Sequence, residues 1–141
     1  MRLNALVVNC AEIQRADFIR MLRETCLAEF SFTESRTMGD GLVKVDPLKT
    51  DLVFLEWDMS VAVGLDFIRK VRQKQRRHIC IVAVTTEDVM MKLEQTPDAG
   101  IADYFILRPF TPKTLGQKLA PLISKIAAAS KAAAAAQGRA Y

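Results

Sequence analysis

Short apolar runs of strand length alternate along this chain with stretches whose apolar residues recur at helical spacing. The runs are "LNALVVN" (3–9), "FSFTES" (30–35), "DLVFLE" (51–56), "HICIVAVT" (78–85) and "DYFILR" (103–108). Between the first two, Ile13, Ala16, Ile19, Leu22 and Cys26 form a helical stripe; after the second, "TMGDGLVKV" (37–45) forms a short helix weakened by its glycines. "GLDFIRKVRQ" (64–73) has Leu65, Ile68 and Val71 turned inward, and "EDVMMKLEQ" (87–95) is a helix cut by Pro97. Thr111 caps a last helix with Pro112 at its first position, and Leu115, Leu119, Leu122, Ile123 and Ile126 mark its inner face. Pro121 falls inside that run, where its missing N–H should kink or interrupt the helix. Five strand–helix pairs in strict succession predict an α/β fold, a parallel sheet with helices on both faces. The near-continuous apolarity of the strands agrees, because a parallel sheet is covered on both sides.

Composition narrows the class. A chain of 141 residues, half of them hydrophobic, is long enough for one domain with a real core and too short for two. No stretch reaches the roughly 18 apolar residues of a membrane span, and "MRLNALVVNC" lacks the apolar length and cleavage site of a signal peptide. A cytoplasmic protein without a membrane partner is expected. Cys10, Cys26 and Cys80 are odd in number and lack CxxC spacing, so they read as reduced core residues. The formal charge of +4 includes a cluster at Arg69, Lys70, Arg72, Lys74, Arg76 and Arg77. That cluster lies where a helix ends and has no interleaved aromatics, so it reads as a solvated helix terminus rather than a nucleic-acid site. After Ile126 comes "AAASKAAAAAQGRAY", of high helix propensity and little patterning, read as an extension of the last helix or, preferably, a frayed or partner-bound tail.

In parallel α/β sheets, ligands bind beyond the carboxyl ends of the strands. The residues there are Asn9 and Cys10 after the first strand, Glu56 after the third, Thr85 and Thr86 after the fourth, and Arg108 after the fifth. An acid, a hydroxyl and a cation thus converge at one edge. A thiol nucleophile built from Cys10 and His78 is disfavoured, since the two lie at opposite ends of their strands.

These strand-end residues resemble the receiver domain of two-component response regulators over residues 3 to about 127. "EWDMSVAVGLDFIRKVR" resembles the segment around the family's phosphoacceptor Asp, Thr85 in "IVAVTTED" its conserved hydroxyl, and Arg108-Pro109-Phe110 its Lys-Pro pair. The resemblance implies a flavodoxin-like (βα)5 fold with strand order 2-1-3-4-5, and a domain at 1–127 followed by an Ala-rich extension or tail at 128–141. It also places Phe105, three residues before Arg108, in the role of switch aromatic, with Tyr104 as the alternative if a bulge shifts the strand by one residue.

The departures carry the functional reading. Asn9 and Cys10 stand where the family has an acidic pair that helps hold Mg²⁺, which removes hard oxygen ligands and two charges. Glu56 replaces the phosphoacceptor Asp, and Arg108 replaces the Lys with a permanently charged fork suited to a carboxylate. The expectation is a degenerate receiver, not an enzyme, in which Glu56 occupies the phosphoryl position and meets Arg108 or the Thr85 hydroxyl. It would bind Mg²⁺ weakly or not at all, through Asp58 and Glu56 if anything, and need no cofactor. Partners would be a signalling protein such as a histidine kinase or downstream effector, or a second copy through the fourth helix, fifth strand and fifth helix. Two readings stay open beside it: a receiver still phosphorylated at the site, and a flavodoxin-like ligand-binding module, against which "NCAEIQ" offers no phosphate-cradling loop.

Overall fold

The computed structural model describes residues 1–58, 60–96 and 102–139, with side chains as far as Ala129. Five strands, β1 (Arg2–Val8), β2 (Glu29–Ser35), β3 (Leu52–Trp57), β4 (Cys80–Thr85) and β5 (Tyr104–Leu107), alternate with five helices. These are α1 (Glu12–Glu24), α2 (Met38–Lys44), α3 (Val61–Lys74), α4 (Glu87–Glu94) and α5 (Pro112–Arg139). The strands form one parallel sheet in the order β2-β1-β3-β4-β5. The flavodoxin-like topology expected from the sequence is therefore the one observed.

Two apolar layers hold the sheet. Leu52, Phe54, Val82, Val84 and Ile106 face Phe18 and Leu22 of α1 and Leu115, Leu119, Leu122 and Ile123 of α5. Val53, Leu55, Trp57, Ile81 and Ala83 face Leu65, Phe67, Ile68 and Val71 of α3 and Leu93 of α4. Successive strand residues point to opposite faces, so the central strands β3 and β4 are buried at every position. At α3, Gly64 lies against the Trp57 indole and leaves no room for a Cβ.

Three expectations about packing are corrected. In α1 the buried face is Arg15, Phe18 and Leu22, while Ile13 is 86% exposed and Ala16 lies on the surface. The helical period was legible but its phase was not, because Arg15 takes an inward position by bonding the Asn9 carbonyl just after β1 and the Glu34 carboxylate of β2. Of the cysteines only Cys80 is buried, where burial pushes its thiol up to about 12; Cys10 and Cys26 are exposed. Cys10 follows β1 at the sheet's edge, and Cys26, with φ of 53°, turns the chain out of α1.

The third correction concerns Pro121, which does not interrupt α5: the helix runs on through the alanine tract to Arg139. Pro121 removes the N–H that would bond the Gln117 carbonyl, but both residues are on the exposed face, so water can satisfy that oxygen. Thr111 and Thr114 cap the helix start reciprocally, each hydroxyl accepting from the other's N–H. The expected break at Pro97 and the end of the tail, 140–141, lie outside the described residues.

The basic cluster is largely engaged within the fold. Lys70 pairs with Asp66, Arg72 with Asp103, and Arg77 with Asp51, while Lys74 donates to the carbonyls of Leu42 and Val43. Asp103 gathers several of these contacts at the amino ends of β4 and β5. Burial pushes its carboxyl up, but the Ile81 N–H, the Arg72 guanidinium and His78 outweigh burial and hold it below the ordinary range.

Candidate functional site at the carboxyl ends of the strands

Glu56 is the penultimate residue of β3, paired with Val84 of β4, and its side chain falls on the α1/α5 side of the sheet. It is 9% exposed, which is unusual for an acid unless it is partnered. The partner is Arg108. Its Nε donates to Glu56 Oε1 at 2.7 Å and its Nη2 to Oε2 at 2.9 Å, a bidentate fork that occupies both carboxylate oxygens. Burial raises the Glu56 carboxyl, Arg108 pulls it back, and the nearby Asp58 charge adds to the rise; the net direction is upward.

Two aromatic rings enclose the cation. The Arg108 guanidinium carbon lies 5.0 Å from the Phe110 ring centroid and 5.9 Å from that of Phe18, and the two rings meet edge to face. Such contacts fix a guanidinium against an electron-rich face and shield it from water. The Arg108 backbone is fixed as well, since its N–H donates to the Thr85 carbonyl at 2.7 Å. Neither phenylalanine was singled out for this role in the sequence. Phe18 would have emerged from the correct phase of α1.

Thr85 does not reach the carboxylate. Its hydroxyl donates to the Trp57 carbonyl at 2.6 Å, tying the tip of β4 to that of β3, and it is fully buried. Of the two partners considered for Glu56, the structure brings Arg108 and not Thr85. The Trp57 indole, although adjacent in sequence, lies on the opposite face of the sheet against α3, with its Nε1 donating to the Ser60 carbonyl at 3.4 Å.

At the end of β1 the side chains are also committed. Asn9 accepts from the Ala11 N–H through Oδ1 and donates through Nδ2 to Gln14 Oε1, both at 2.9 Å. Arg15 donates to the Asn9 carbonyl at 2.7 Å and to Glu34 Oε1 at 2.9 Å. A guanidinium therefore stands beside the position where an acidic pair would hold a cation. Cys10 offers a soft thiol, Asp58 is exposed in the loop, and Glu56 has both oxygens engaged. Among the described residues no three acidic, histidine or cysteine side chains cluster to hold a metal ion. This donor set does not suit a hard octahedral cation such as Mg²⁺, which requires several oxygen ligands.

On β5, Phe105 pairs with Ala83 in regular register and packs against the core on the α3/α4 side, whereas Tyr104 packs on the α1/α5 side. No slip within the strand exchanges them; Gly100, from which the spacing was counted, lies outside the described residues.

Comparison with known proteins agrees with this fold. The response regulator receiver domain family matches residues 6–120. Chemotaxis protein CheY-3 of Vibrio cholerae is 28% identical over 116 residues, covering 78% of this chain and 88% of that protein. Chemotaxis protein CheY1 of Helicobacter pylori is 37% identical over 71 residues, half of this chain and 56% of its own. Among solved structures, the REC domain of AraT, a response regulator from Geobacillus stearothermophilus, superposes with a TM-score of 0.73 at 18% identity, covering 92% of this chain and 99% of that one. Vibrio cholerae CheY4 gives 0.67 at 23% identity over 84% and 97%. These last two likenesses concern the fold.

Proposed function

Because the chain belongs to the response regulator receiver domain family of two-component signalling, we propose that it is a degenerate member whose phosphoryl site is replaced by a fixed ion pair. One observation carries the reading: the forked Arg108–Glu56 contact, with both carboxylate oxygens occupied. An acceptor carboxylate must present a free oxygen in line with the incoming phosphorus. Here both oxygens bond to the residue at the Lys position. The committed Asn9, the Cys10 thiol and the adjacent Arg15 guanidinium weaken Mg²⁺ binding, and without a cation the charge of a phosphoryl group in transfer is poorly offset.

In this reading Glu56 stands in for the phosphoryl group, with one negative charge against about 1.5–2. The domain then acts through contact with another signalling protein, a kinase or an effector, independently of phosphorylation. Phe105, on the side of α4, is the residue through which the ion pair would be felt on the α4–β5–α5 face.

The test is incubation of the folded protein with acetyl phosphate and Mg²⁺, followed by intact mass, with the Arg108 Nε–H resonance followed on adding Mg²⁺ and beryllofluoride. No phosphoryl mass shift and an unmoved Arg108 resonance are expected. A stoichiometric phosphoryl adduct on Glu56 or Asp58 would overturn the reading.

A further inference from the structure

A second feature of the carboxyl edge lies apart from the ion pair. Between the end of β1, α1 and the β2–α2 corner, a cavity of about 590 Å³ is lined by Cys10, Arg15, Glu34, Arg36, Asp40 and Lys44, among others. Its volume is in the range of small-molecule sites, roughly 300–1,000 Å³. Neither Glu56 nor Arg108 borders it.

The charges around it do not cancel. Glu34 is paired with Arg15 and Asp40 with Lys44, which accounts for both carboxylates. Arg36 is exposed and makes no hydrogen bond or ion pair with any described residue. Arg15 has a side chain only 9% exposed and bonds through Nε and Nη1, leaving the N–H groups of Nη2 without a partner among the described residues. No fully buried polar side-chain atom among the described residues lacks a partner, so Nη2 is not sealed from solvent, and Arg15 is among the residues that line the cavity. A buried guanidinium, pre-positioned by two bonds and with two donors unused among the described residues, therefore shares one cavity with a second guanidinium that pairs with no described residue. Such forks match the oxygens of a phosphate or similar oxyanion.

We propose that this cavity is a binding site for a small phosphate monoester, its dianion held by Arg15 and Arg36 with Lys44 alongside, and its organic part occupying the remaining volume. The site requires no phosphotransfer and is independent of the state of Glu56. It gives the β2–α2 corner a small-molecule input distinct from the ion pair.

Cys10 on the wall of the cavity provides the readout, and Cys26, exposed but absent from that wall, the internal reference. The full chain is alkylated with iodoacetamide while phenyl phosphate is titrated at constant ionic strength, and the Arg15 Nε–H resonance is followed in parallel. The expected result is saturable slowing at Cys10 of several-fold with Cys26 unchanged, a saturable Arg15 shift, and weaker competition by inorganic phosphate. Arg36→Gln, at a surface position whose side chain bonds no described residue, should weaken binding about tenfold, and Lys44→Gln less. Equal effects at both cysteines, shifts reproduced by sodium chloride, or unchanged affinity in Arg36→Gln would each overturn the proposal. Binding of inorganic phosphate alone, with phenyl phosphate excluded, would overturn the assignment to a monoester.

Discussion

Glu56 and Arg108 are buried unequally, and that inequality decides what their pair does. The Glu56 side chain is 7% exposed and that of Arg108 20%. Burial and the Asp58 charge together outweigh Arg108 and raise the Glu56 carboxyl, so ionising Glu56 is less favourable in the fold than in the unfolded chain. The contact then specifies one geometry more than it stabilises the fold. Glu56→Gln should accordingly stay within about 1 kcal/mol of the parent at neutral pH, while its Arg108 resonance moves and amide exchange along β5 quickens; unmoved resonances would count against the pair. Arg108→Ala strands the carboxylate and should cost about 3 kcal/mol in urea unfolding.

The pH dependence follows with a definite sign. A carboxyl whose folded pKa is raised binds more protons folded than unfolded. Its stabilising contribution is full below the unfolded value and is lost as pH rises through the folded value. Asp103 works in the opposite direction, being held low in the fold. Subtracting the Glu56→Gln stability curve from that of the parent isolates Glu56. The difference should favour the parent increasingly as pH falls through and just below the upper carboxylate range; a difference of opposite slope would show that Arg108 outweighs burial.

At the scale of elements, the site depends on how β3, β4 and β5 end. The Thr85 hydroxyl on the Trp57 carbonyl and the Arg108 N–H on the Thr85 carbonyl tie three strand tips in series. Behind them, α3 is pressed so closely that Gly64 touches the indole of Trp57. Gly64→Ala would drive a methyl into that ring, and although alanine favours the helix by about 1 kcal/mol, overpacking costs typically 1–3 kcal/mol or more. A net loss of roughly 2 kcal/mol and a change in Trp57 emission are expected; a more stable variant would mean that α3 can shift freely. Elements were the most legible level, since all ten appear where alternation and period put them. The phase of α1 was not legible, because Arg15 is polar in sequence yet satisfied inside, and neither was the continuity of α5 through Pro121.

Across the whole molecule, the parallel sheet brings residues far apart in the chain to one edge, and in the proposed reading the departures from the receiver pattern act together there. If side-chain chemistry alone weakens cation binding, the triple variant Asn9→Asp, Cys10→Asp, Glu56→Asp should bind Mg²⁺ in the millimolar range or tighter by isothermal titration, with Arg108 released. A folded triple variant that ignores Mg²⁺ would place the cause in Arg15 and its hold on the Asn9 carbonyl. The candidate site residues Asn9, Cys10, Glu56, Thr85 and Arg108 could be listed from strand ends alone. Which of them touch could not, since Thr85 and Arg108 are both near enough in topology to meet Glu56.

The sequence by itself determined the α/β class, the number and order of elements and the set of polar residues at the carboxyl edge, because period and strand-end position are local properties of a chain. Only the tertiary structure decided that Arg108 rather than Thr85 takes the carboxylate, that Phe18 and Phe110 enclose the cation, and that Trp57 faces away from it. Those outcomes depend on which face each side chain takes and on competition among partners brought together across as many as 52 residues, as between Glu56 and Arg108, and no local pattern encodes that competition.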